Sequence, residues 1–204
     1  MPGDVAGAPL VGFYGKLPAR GDFVRAGLSR DFTDTWDAWL NDVMTRTRNC
    51  AGEDWLPAFL EAPVWRFILP PNLCGTRAVL GLMMPSVDRV GRYFPLTFAA
   101  LADAGDFAAK QADSWLDRCE DAGRAALEQD ADLDRIGAMI GAPRMGGPAL
   151  RNPMGEWWTG GSVRLPPHRR TSADLPDARV FAMMLGLTGT SPCQGSDDPA
   201  LPMP

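Results

Sequence analysis

Ala78-Val-Leu-Gly-Leu-Met-Met84 is a seven-residue run with no charged or polar side chain, preceded by Gly75 and closed by Pro85-Ser86. An apolar run this short, bounded by turn formers, predicts a strand rather than a helix. A strand with one wet face would alternate apolar and polar residues. This one does not, so it is expected to be covered on both faces. Upstream, Val64–Leu69 reads as its hairpin partner, with Pro70-Pro71-Asn72 and Gly75 supplying the turn. Downstream, Tyr93–Leu101 reads as a third core strand, and near the start Leu10–Tyr14 reads as another, stopped by Gly15 and Pro18.

Helical patterns fall between these strands. From Ser29, a fair N-cap, the residues Phe32, Trp36, Trp39, Leu40, Val43 and Met44 recur at helical spacing and form one apolar stripe. Asp31, Asp34 and Asp37 come early and Arg46 and Arg48 late, as the helix dipole favours. A brief helix is expected over 53–60 and a long one over 106–129, with a seam of Ala108, Ala112, Trp115, Cys119, Ala122 and Ala126. Leu133, Ile136 and Ile140 continue as a shorter helix, and the Gly/Pro-rich 141–155 reads as loop. Glu156-Trp-Trp-Thr159 reads as a short strand before a Gly160-Gly161 turn. Residues 172–185 stay open between helix and strand, with Pro176, Val180, Phe181 and Met184 favouring helix. This order predicts an α/β fold: a single-domain three-layer sandwich, a mixed β-sheet with helices on both faces. The domain is expected over 10–187, between a flexible tail (1–9) and a disordered tail (188–204).

With 204 residues, 46% of them hydrophobic and seven tryptophans, the chain has ample material for one core. A net charge of −5 argues against general nucleic-acid binding. Cys50, Cys74, Cys119 and Cys193 stand far apart without a CxxC pair, which is no zinc spacing and suits reduced thiols. The N-terminus has neither the basic nor the long apolar region of a signal peptide, and no apolar run nears the roughly 20 residues that span a bilayer. A cytoplasmic protein, not inserted in membrane, is the expectation.

Catalytic equipment is sparse. The one histidine, His168, lies in a segment that reads as exposed loop, and Gly160-Gly161-Ser162-Val163-Arg164 has Arg where a nucleophile elbow needs Gly. Asp130, Asp132 and Asp134 have EF-hand spacing, but Arg135 and Gly141 occupy the positions that need Gly and Glu. There is no Gly-rich phosphate loop and no dinucleotide fingerprint. No metal, no cofactor and no enzyme activity are therefore expected.

Two charged segments stand out instead: Gly12-Phe-Tyr-Gly-Lys-Leu-Pro-Ala-Arg-Gly-Asp-Phe23 and Pro85-Ser-Val-Asp-Arg-Val-Gly-Arg-Tyr-Phe-Pro95. Each follows an apolar run, and each sets Arg and Asp among Gly and Pro, as recognition loops do. If the loops adjoin, Asp22 and Asp88 could form a carboxylate pair for acid–base work, a cryptic hydrolase. Yet Arg20 and Arg25 flank Asp22, and Arg89 and Arg92 follow Asp88, and such cations keep carboxylates ionised. Three readings stay open: loop fixation by charge-assisted hydrogen bonds, a protein interface, or a small-anion or nucleotide sensor using Arg20, Arg89 and Arg92. Adjacent strand residues point to opposite faces, so one of Trp157 and Trp158 should be core and the other a contact residue. The candidate interaction residues are Lys16, Arg20, Asp22, Asp88, Arg89, Arg92, Trp157 and Trp158. Arg92→Ala and Asp22→Ala are expected to weaken partner binding without changing the melting temperature.

Gly12–Val24, Trp36-Asp-Ala-Trp-Leu40, Pro85–Thr97 and Trp157-Trp-Thr159, in this order, resemble the TagF (ImpM-like) family of bacterial type VI secretion proteins. The resemblance covers about residues 10–185. It implies an α/β three-layer fold and a cytoplasmic, non-catalytic accessory protein that represses type VI secretion after translation. It also implies a link to the forkhead-associated scaffold Fha, or another apparatus component, and to a Ser/Thr kinase–phosphatase switch. Some relatives are fused to the phosphatase PppA, and this chain is expected to be the form without it. The family offers no established catalytic residues to carry over.

Overall fold

The computed structural model describes residues 8–103, 109–128, 132–143 and 154–187. Its seven strands are β1 (Leu10–Gly15), β2 (Val24–Ala26), β3 (Trp65–Leu69), β4 (Ala78–Met84), β5 (Leu96–Ala102), β6 (Gly155–Thr159) and β7 (His168–Ser172). They form one sheet in the order β2-β1-β5-β4-β3-β6-β7. The helices are α1 (Arg30–Ala51), α2 (Trp55–Leu60), α3 (Ala109–Glu128), α4 (Leu133–Ile140) and α5 (Ala178–Met184). The expected tails lie outside the described residues for 1–7 and 188–204, as do Asp106–Ala108, Gln129 and most of the 141–155 loop.

The α/β fold with helices on both faces is what the central strand demands. All seven residues of β4 are buried, and so are all seven of β5. Val79 and Met83 of β4 join a core with Trp36 and Leu40 of α1, Phe59 of α2 and Phe181 of α5. Ala78, Leu80, Leu82 and Met84 point the other way, into a core with Trp115 and Cys119 of α3 and Ile136 of α4. Period-two alternation thus survives inside a strand that is apolar throughout, sorting its side chains into two separate cores.

One detail of the expected sheet is corrected. Every strand pairing is antiparallel, so the sheet is not mixed. Short connections explain four of these six pairings, while β1–β5 and β3–β6 are set by the crossovers. β1–β2 and β6–β7 are hairpins and β3–β4–β5 is a meander, and short connections between neighbouring strands force antiparallel pairing. The two helical crossovers move the chain between these three units. Residues 172–185 resolve into the end of β7 and α5, whose N-cap Asp177 accepts a 2.8 Å hydrogen bond from the Val180 N–H. Pro176 precedes that cap rather than entering the first turn. His168 lies in edge strand β7, not in a loop.

Candidate functional site

β5 lies between β1 and β4 and runs opposite to both. The C-terminal ends of β1 and β4 therefore reach the same edge of the sheet, and the loops that follow them, 16–23 and 85–95, emerge side by side. Gly15 has φ +144°, and a Cβ there would stand 2.1 Å from the Pro95 carbonyl oxygen. Only glycine lets the first loop pass this close to the end of the second.

A buried ion pair locks the loops together. Lys16 Nζ donates to Asp88 Oδ2 at 2.6 Å, with 6% and 0% of the two side chains exposed. Asp88 also accepts from Arg92 Nε at 2.6 Å, from the Arg92 N–H at 2.9 Å and from the Val90 N–H at 3.0 Å. Ser86 Oγ donates to the Lys16 carbonyl at 2.6 Å, the Arg89 N–H donates to the Arg20 carbonyl at 2.9 Å, and Arg92 Nη2 donates to the Gly21 carbonyl. Burial pushes the Asp88 carboxyl up, but the hydrogen bonds from Lys16 and Arg92 outweigh it and hold the group below the usual carboxylate range. Asp88 is thus a fixed anion with its lone pairs in use. It is a strut, not a proton donor.

Asp22 shares no such arrangement. It is exposed and forms no ion pair among the described residues, and Asp88 is committed to Lys16, so no carboxylate dyad exists. Arg89, expected beside Asp88, forms no ion pair with it; its N–H bonds the Arg20 carbonyl and its side chain is exposed. Lys16 and Asp88, offered as contact residues, are buried beneath the loops because each charge needs the other once water is excluded. Arg20, Asp22, Arg89 and Arg92 stay on the outside. Two side chains that sequence reading passed over join them: Phe23 and Val90 are 44% and 65% exposed. Phe23 stacks on Tyr14 at 5.5 Å, meets Phe94 edge-on at 4.8 Å and lies 4.9 Å from Lys16 Nζ. A β-branched residue between Arg89 and Gly91, in a turn that needs none, was the available signal for Val90.

The tryptophans separate as alternation requires. Trp157 is fully buried against Trp36, Trp39 and Phe67, which removes it from the contact candidates. Trp158 is half-buried on the opposite face, under the Arg169 guanidinium at 5.3 Å. It lies two strands from β4 and is not joined to the loop pair. The remaining chemical candidates have structural duties. His168 meets Trp65 edge-on at 6.2 Å, and Ser162 Oγ accepts from the Arg164 N–H within the β6–β7 turn. Cys74 and Cys119 are free and buried, and burial pushes the Cys74 thiol up to about 12. Cys50, by contrast, is disulfide-bonded, which corrects the expectation of reduced thiols at that position.

The family profile of the TagF N-terminal domain, described as type VI secretion system-associated, matches residues 12–142. The chain belongs to the TagF family. That match spans both loops of the candidate site. The fold of this TagF chain is similar to the crystal structure of PA0076 from Pseudomonas aeruginosa PAO1, with a TM-score of 0.75 and 33% sequence identity. The similarity covers 95% of this chain and 99% of that one. No curated protein matches the sequence. Among the described residues of the TagF chain, no helix is long and apolar enough to cross a membrane, and no group of three or more His, Cys, Asp or Glu could hold a metal ion.

Proposed function

We propose that the chain is a non-catalytic accessory protein that represses type VI secretion after translation, by binding an apparatus component in the cytoplasm. The observation that carries this reading is the Lys16–Asp88 pair. It commits Asp88, one of the two carboxylates weighed for acid–base work, to fixing two loops, whose outer side then offers arginines and two apolar side chains. Arginine and aromatic residues on a rigid support are the composition of protein interfaces. Binding withholds the partner from assembly by mass action, and release restores it. Membership of a secretion-associated family supplies the context. Fha, or another cytoplasmic component, is the partner to look for.

The test is affinity purification of the chain from a strain with an active type VI cluster, alongside an Arg20→Glu/Arg89→Glu variant. A secretion component retained by the wild type and lost by the variant supports the proposal. Retention of the same components by both would contradict it.

A further inference from the structure

We propose that Arg20 and Arg89 form a carboxylate clamp for an acidic, extended segment of a protein partner, with Phe23 and Val90 receiving that segment's apolar side chains. This rests on the repressor reading and names the chemistry of its site. The backbones of Arg20 and Arg89 are tied by a 2.9 Å hydrogen bond, which keeps two guanidinium-bearing residues adjacent. Both side chains are exposed, and neither has a carboxylate within ion-pair distance among the described residues. The one acid fixed within the loop pair, Asp88, is turned inward onto Lys16 and Arg92. Neither guanidinium contributes an ion pair to folding among the described residues, so an external carboxylate is what would give them a charge-assisted partner.

The charge contrast points the same way. The whole chain carries −5, yet the two loops hold Lys16, Arg20, Arg89 and Arg92 against Asp22 and Asp88 only. An acidic segment repelled by the rest of the surface is steered to this end of the sheet. The neighbouring apolar groups decide for a peptide over a small anion. Phe23 and Val90 stand 44% and 65% exposed on the same loops. Phosphate has no use for them, whereas a chain alternating acidic and apolar side chains engages both kinds of surface. The loops are already fixed by the ion pair beneath them, so binding orders little of this protein.

The test uses fluorescence anisotropy on the full chain with two labelled peptides, one alternating glutamate and leucine, the other glutamine and leucine. The glutamate peptide is expected to bind about tenfold more tightly. Arg20→Gln/Arg89→Gln should abolish that preference at unchanged melting temperature, since neither side chain has an ion-pair partner among the described residues to lose. Phe23→Ser/Val90→Ser should weaken both peptides alike. A preference that survives the arginine double variant overturns the clamp, as does inorganic phosphate binding as tightly as the glutamate peptide. Secretion measured on the same variants keeps the two proposals apart. Lost preference with intact repression leaves the clamp standing and refutes its use in repression. Lost repression without any peptide preference refutes the clamp and leaves the repressor reading in place.

Discussion

Removing the Asp88 carboxylate would leave the Lys16 ammonium buried without its partner, and Asp88→Asn is expected to cost about 3 kcal/mol in urea denaturation. Arg89→Gln, whose side chain forms no ion pair among the described residues, should shift the same curve by less than about 0.5 kcal/mol. Arg92 falls between these. Its guanidinium bonds Asp88 and the Gly21 carbonyl, so Arg92→Ala should lower the melting temperature, contrary to the expectation from sequence. The Asp88 pair also has a pH signature. A folded carboxyl held below its unfolded pKa of about 3.9 stabilises the protein fully above that value. The contribution is lost as pH falls through the folded value. The stability difference between wild type and Asp88→Asn should therefore stay constant from about pH 7 to about pH 5 and shrink below about pH 4. From sequence, the arginines near each aspartate were visible. Lys16 stood among the candidates, but its pairing with Asp88 was not legible, because that partner lies 72 positions away and is chosen by strand order.

At the scale of elements, β1 and β2 set the width of the first loop. A Cβ on Gly12 would stand 1.8 Å from the Ala26 carbonyl oxygen, so Gly12→Ala must push β2 off β1. The expected cost is about 1–3 kcal/mol, with exchange protection lost in β2 before the central strands. Between layers, Trp36 Nε1 donates to Thr97 Oγ1 at 2.9 Å, both residues being buried. Thr97→Val keeps the shape but orphans the indole N–H, and should cost about 1–3 kcal/mol by the same denaturation. Elements defined by strong periodicity were legible. The stripe of α1, the run of β4 and the spacing of Leu133, Ile136 and Ile140 fall where sequence places them. The two edge strands were not. β2 has three residues, and β7 is His-Arg-Arg-Thr-Ser, polar because an edge strand takes its charges outward to discourage further pairing. Antiparallel pairing throughout was equally hidden, since it depends on which hairpin the crossovers set beside which.

At the scale of the molecule, an acidic chain presents arginines at one end of its sheet. The alternation in Trp157-Trp158 told that one would be core, but only the layering of helices over the sheet decided which. Docking through an arginine surface is electrostatic and exposed, so partner retention should fall as salt rises from about 0.05 to 0.5 M, where the Debye length contracts severalfold. An interface resting on the apolar groups alone would hold. Repression itself is open to one direct measurement: type VI-dependent secretion in a strain overproducing either the wild-type chain or Arg20→Glu/Arg89→Glu, with equal amounts and equal melting temperatures verified. Secretion silenced by the wild type and restored in the variant is the expected result. Equal silencing by both proteins would contradict the proposed docking through the arginine loops.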